Sequence, residues 1–181
     1  PIDKELTKVE VPTREGYIFG GYWDDPTNPQ TGVQYIDANG DFTSFCINTK
    51  FEEDTTLKAK WTPISYTVKF DVNGGSSATP TSINATYDAE FTMPAAASRQ
   101  YYTFQGWTPL SRPSDDNPGF QYAAGSTQKN LTTVNGTTIT LYAEWEGQTS
   151  TISFSTGAGG DAEKNVPTKT TLTAQLGQQM P

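Results

Sequence analysis

Histidine is missing from this 181-residue chain, and Cys46 is its only cysteine. Ser-His and Cys-His catalysis are therefore excluded, no disulfide can close within the chain, and zinc has too few nitrogen and sulfur ligands. Basic residues are few as well, 12 Lys and Arg against 20 Asp and Glu, for a net charge of −8. They form no cluster, so a surface that tracks nucleic-acid phosphates is not expected. An anionic membrane would repel such a chain, and no apolar run approaches the roughly 20 residues that span a bilayer. No signal peptide is visible, and the sequence opens on Pro1 without Met, which leads us to expect a piece of a longer protein. Scarce cysteine does not by itself argue for the cytoplasm.

Hydrophobic residues are also sparse, at 34%, yet four Trp, nine Tyr and nine Phe are among them. Each such ring hides roughly 150–250 Å², so a few can build a small core. Thr, Gly, Pro and Asn fill the intervals, the composition of short strands and tight turns. The expected fold class is mainly β with little or no helix.

The strongest signal is internal repetition. "REGYIFGGYW" (14–23) lies over "RQYYTFQGWT" (99–108), an offset of 85 from 14 to 99. "TTLKAKW" (55–61) lies over "ITLYAEW" (139–145), an offset of 84 from 55 to 139. "YTVKFDVNGG" (66–75) is echoed by "STISFSTGAGG" (150–160), "LTKV" (6–9) by "FTMP" (91–94), and "YDAEFT" (87–92) faintly by "LGQQMP" (176–181). Separated blocks in one order at one period mark a repeated module.

Each block reads as strand. Tyr66, Val68 and Phe70 alternate with Thr67 and Lys69, the period of a half-buried strand. Asn73-Gly74-Gly75 supplies the positive φ of a reversal, and 82–94 is the expected return strand, bent at Tyr87-Asp88. Strict alternation over 102–107 places Tyr102, Phe104 and Gly106 on one face, with Thr103, Gln105 and Trp107 on the other. Ile139, Leu141, Ala143 and Trp145 share a face opposite Tyr142 and Glu144. Some 30 residues rich in Pro, Gly, Asp and Thr separate these strands, and we expect a short hairpin or irregular cover there. "PAAASRQ" (94–100) has room for one helical turn.

An "NGG" hairpin, then "YTFQGW", a loop and "TLYAEW" within about 80 residues resembles the Listeria–Bacteroides repeat, the internalin-type B-repeat. The resemblance gives one complete unit at 66–145, the later part of another at 1–61, and the opening part of a third at 150–181. A permuted phasing, 1–94 and 95–181, is the alternative. Tyr17, Phe19, Gly21, Trp61, Phe70, Gly74, Gly75, Tyr102, Phe104, Gly106 and Trp145 carry the motif. Departures are Tyr22 where the second copy has Trp107, Tyr101 for the usual Gly, and "KAKW" for "YAEW". The resemblance implies a small β-grasp-like or sandwich-like module, arrayed in bacterial surface and secreted proteins, without enzymatic activity. A half-unit with an exposed aromatic face is not expected to order alone. Its completion is expected either from 66–94 pairing with the first half or from a neighbouring molecule.

Each candidate site also has a plainer role. Trp61 and Trp145 end matching strands and are expected in the core. Trp23 and Trp107 are left open as rings for sugar stacking, the basis of a carbohydrate-binding alternative. Asp37, Asn39 and Asp41 in "DANGD" alternate as in a calcium loop, but Phe42 and Asn48 stand where that pattern needs Gly and an acid. Asn39-Gly40 between "VQYI" and "FTSF" is better explained as a two-residue hairpin turn. "GGSS" (74–77) and "GAGG" (157–160) lack the lysine and helix of a phosphate loop. The acid pairs Asp24/Asp25, Glu52/Glu53 and Asp115/Asp116 read as solvated loop residues. No cofactor is expected. The expected function is a spacer and adhesion module outside the bacterial cell, with neighbouring repeats and a cell-surface protein or glycan as partners.

Overall fold

The structure, a computed structural model, describes residues 8–28, 30–76, 78–95, 98–109, 121–154 and 171–176. They are mainly β. The blocks "GAGG" and 110–120 of the long connection fall outside the described residues, as does most of "LGQQMP".

The first repeat builds a three-stranded sheet in the order β2-β1-β3, from β1 (Tyr17–Trp23), β2 (Gln34–Ile36) and β3 (Lys58–Pro63). Both pairings are antiparallel. Between β2 and β3 the expected strand "FTSF" gives only a bridge from Phe42 to Ile36 and then a five-residue helix, α1 (Ser44–Asn48). Thr43 caps it, its hydroxyl accepting the Cys46 N–H at 3.2 Å.

The second repeat contributes β4 (Ser65–Asp71), β5 (Ser82–Thr86), β6 (Phe91–Thr92), β7 (Tyr102–Thr108), β8 (Thr127–Gln128) and β9 (Thr138–Gly147). Its sheet order is β5-β4-β9-β7, and β6 pairs with β8. The "NGG" reversal forms as expected. Gly75 N–H donates to Val72 O, with Asn73 at φ 45° and Gly74 at φ 83° between them. The return strand is shorter than 82–94, because Asp88 at φ 63° breaks it and Phe91–Thr92 turns to β8. The hairpin of 66–94 thus joins the sheet of β9 rather than that of β1. β4 and β9 are parallel: Ser65 O accepts Gly136 N–H, Thr67 N–H donates to Thr137 O, and farther along Asn73 Nδ2 donates to Ala143 O. A third hairpin, β10 (Thr149–Ser153) with β11 (Thr171–Gln175), follows in antiparallel register.

Two compact units divide the described residues: those of 1–67 with 84–91 and 128–138, and those of 68–83 with 92–127 and 139–181. In the first, Phe19, Tyr35, Ile36, Ile64, Tyr66 and Ala85 are buried. In the second, Val68, Phe70, Met93, Trp107, Leu141 and Ala143 are.

Trp107 corrects the alternation drawn from sequence. Phe104 pairs with Trp145 and Gly106 with Glu144, so Gln105 is an extra residue in β7. Such a bulge shifts the period of two by one residue. Trp107 therefore points to the side of Phe104, is fully buried, and donates its indole N–H to Pro94 O at 2.8 Å. Trp61 and Trp145, expected in the core, are only half-buried, as are Tyr102 and Phe104. β1 carries the same irregularity between Phe19 and Tyr22. Gly21 sits there at φ 89°, where a Cβ would strike Ile36 O.

Candidate functional site

Two aromatic triads recur at the repeat period. Phe19 lies 5.2 Å from Tyr22 and 5.4 Å from Trp61, centroid to centroid. Phe104 lies 5.4 Å from Trp107 and 5.5 Å from Trp145. The second triad is additionally covered by Phe70, 4.9 Å from Trp107. Trp145 Nε1 donates to Val72 O, and a Cβ on Gly75 would overlap its ring, so the hairpin turn seats on this indole. These rings are structural, and Trp107 is unavailable to any ligand. Trp23 is half-buried, with its indole N–H donated to Gly20 O and Lys60 Nζ 4.2 Å above the ring. A sugar would have to displace that ammonium to stack on the same face.

The "DANGD" segment is a turn. Asp37 Oδ1 accepts the N–H groups of Asp41 and Asn39, and these bonds hold the Asp37 carboxyl below its usual value. Ala38 and Asn39 occupy the bend, and Gly40 follows at φ 89°. The reversal therefore uses three residues rather than the two expected. Asp41 faces Lys8 at 3.7 Å. Among the described residues no group of three Cys, Asp or Glu gathers that could hold a metal.

A second recurring feature lies where one repeat hands over to the next. In the first joint, buried Ile64 donates its N–H to Gly16 O at 2.9 Å, while its carbonyl accepts the Tyr87 N–H at 2.9 Å. In the second joint Gln148 stands in for Ile64. Its N–H donates to Tyr101 O and its carbonyl accepts the Leu176 N–H, each at 2.8 Å. One connector residue thus ties the turn before β1 or β7 to the return strand of the following hairpin. That turn is also repeated. Tyr17 N–H donates to Arg14 O and Tyr102 N–H to Arg99 O, both at 3.1 Å. Gly16 at φ 74° and Tyr101 at φ 67° hold its left-handed position. Arg14 lies 3.7 Å above the Tyr17 ring and Arg99 4.0 Å above that of Tyr102.

Side chains reinforce the first joint. Tyr17 OH donates to Asp88 Oδ2 at 2.7 Å, and Asn130 Nδ2 donates to Asp88 Oδ1 at 2.9 Å. Asp88 N–H in turn donates to Asn130 Oδ1. The bonds from Asn130 and then Tyr17 lower the Asp88 pKa, and the bond to Asp88 raises that of Tyr17. The Tyr17 and Tyr87 rings meet edge to face at 5.9 Å, and a Cβ on Gly16 would overlap Tyr87.

Reading the sequence missed this joint. The recurrence of Arg three residues before Tyr, at 14 and 17 and again at 99 and 102, was the available signal. It also missed an exposed apolar cluster beside α1, in which Phe45 and Phe51 meet Tyr35 at 5.2 and 5.7 Å and Ile47 is 72% exposed. Thr43 as a cap was the only hint of that helix.

The sequence profile of the Listeria-Bacteroides repeat domain matches residues 2–60 and 66–144. The chain belongs to this repeat family. A Gly-rich membrane protein of Evansella cellulosilytica is 27% identical over 159 residues, covering 88% of this chain and 16% of its own length. Internalin H of Listeria monocytogenes is 32% identical over 102 residues, 56% of this chain and 16% of the internalin. Another Evansella cellulosilytica membrane protein is 30% identical over the same number of residues, 56% of this chain and 13% of that protein. The chain thus spans about a sixth of the length of the first relatives. No solved structure matches it.

Proposed function

We propose that this repeat chain acts without catalysis as a spacer in a bacterial surface protein, holding consecutive modules at a set geometry. The observation that carries this reading is the joint, recurring at Ile64 and Gln148 with the same pair of backbone hydrogen bonds. A connector that donates to one repeat and accepts from the next has little torsional freedom left. The Tyr17–Asp88–Asn130 network adds side-chain bonds at the same place. Membership of an internalin-containing repeat family supports placement outside the cell. The missing histidine and the lone cysteine are consistent with a mechanical role.

Paired spin labels test it. Thr13 and Glu90 are exposed and flank the first joint. A single narrow distance distribution between labels there is expected. A broad one would mean a free hinge, and the spacer reading would fall.

A further inference from the structure

We infer that the second repeat is a shear clamp, which carries tension along the chain through the pairing of β4 with β9. In a spacer, the reading on which this inference rests, a pull enters the repeat at the start of β4 and leaves at the end of β9. These two strands are neighbours in the sheet and run parallel, so Ser65 and Gly147 lie at opposite ends of the pair. Pulling them apart slides one strand along the other. Hydrogen bonds between parallel strands are evenly spaced across that direction, so they share the force and must yield together. β5, β6, β7 and β8 all fall between β4 and β9 in the chain. They stay out of the line of tension while the pair holds.

The ties are spread along the pair. Near its start Ser65 N–H donates to Asn135 Oδ1 at 3.1 Å, and Ser65 O accepts the Gly136 N–H at 2.8 Å. Thr67 N–H follows, donating to Thr137 O at 2.9 Å. Near the far end Asn73 Nδ2 donates to Ala143 O at 3.1 Å and Trp145 Nε1 to Val72 O at 3.0 Å. Between them Val68 and Phe70 of β4 and Leu141 and Ala143 of β9 are buried, so sliding would also break their packing. The same sheet holds the opposite geometry. β7 and β9 are antiparallel, with Tyr102 paired to Gly147. A pull at that shared end would open the ladder one bond at a time.

Single-molecule force spectroscopy on the full chain tests this, because forced unfolding reads the barrier to unfolding rather than the equilibrium stability. Cys46→Ser removes the native thiol, and cysteines at exposed positions then supply the handles. Ser65→Cys with Glu146→Cys pulls β4 against β9 in shear. Thr103→Cys with Glu146→Cys keeps one anchor and peels β7 from β9. A severalfold higher rupture force is expected for the first pair. Asn73→Gly leaves a residue suited to the positive φ of the turn and removes the side-chain bond to Ala143 O. It should lower the shear force and leave the peeling force unchanged. Equal forces in the two directions overturn the clamp, as does an Asn73→Gly loss of the same size in both. A free hinge at Ile64 would end the spacer reading yet leave the force difference in place, so the two fail separately.

Discussion

Phe104 and Trp107 lie 5.4 Å apart on one face of β7, although three residues of regular strand would send their side chains to opposite faces. The bulge at Gln105 reconciles them, and the same device brings Phe19 to Tyr22. The meeting of the three rings therefore depends on a single extra residue in each copy.

Deleting Gln105 should leave the pairings Phe104–Trp145 and Trp107–Ala143 intact, because the bulged residue has no partner in that register. Inserting one residue after Gln105 should instead carry Trp107 to the solvent face. Thermal melting monitored by tryptophan fluorescence distinguishes them. A cooperative transition with buried-type emission is expected for the deletion and not for the insertion.

Trp107→Ala should cost about 3–5 kcal/mol, the range for large buried aromatics. Pro94 O would lose its donor in addition. Tyr22→Ala, at the equivalent but half-buried position, should cost roughly 1–3 kcal/mol. Urea denaturation followed by circular dichroism measures both. Equal losses would contradict the difference in covering that Phe70 makes.

Tyr101 and Gly16 offer a paired test of one backbone position. Tyr101→Gly removes a left-handed side-chain conformation from a residue that is 44% exposed, and should stabilise by up to about 1 kcal/mol. Gly16→Ala adds the same strain and drives a methyl into Tyr87, so a loss of about 1–3 kcal/mol is expected. Denaturation midpoints of opposite sign are the outcome to look for.

The first joint should weaken at both ends of the pH scale. Asp88 has a lowered pKa in the fold, so its contribution is full above the ordinary value of 3.8 and is lost as pH falls through the folded value. Tyr17 has a raised pKa, so its contribution is full below 10.0 and is lost as pH rises through the folded value. The distance distribution across the joint should broaden in acid for the wild type. In Asp88→Asn that acid-dependent change should disappear.

Much of the fold was legible because it is local and written twice. Alternation in "YTVKF", the left-handed preference of Asn73-Gly74, and the period linking Tyr17 to Tyr102 each act over a few residues, so composition and spacing reveal them. Strand β5 ended early for a reason that alternation does not record, the left-handed turn at Asp88 held by Asn130 from far along the chain.

By itself, then, the sequence determined the repeat, the strand class and the missing catalytic groups. Tertiary structure decided which way Trp107 points, because a bulge is defined by pairing with β9 and not by the residues of β7 alone. It also decided the joint at Ile64, where Gly16, Tyr87, Asp88 and Asn130 meet across as many as 114 residues (16 to 130). Hydrogen bonds of that span leave no local periodicity, so only the folded chain displays them.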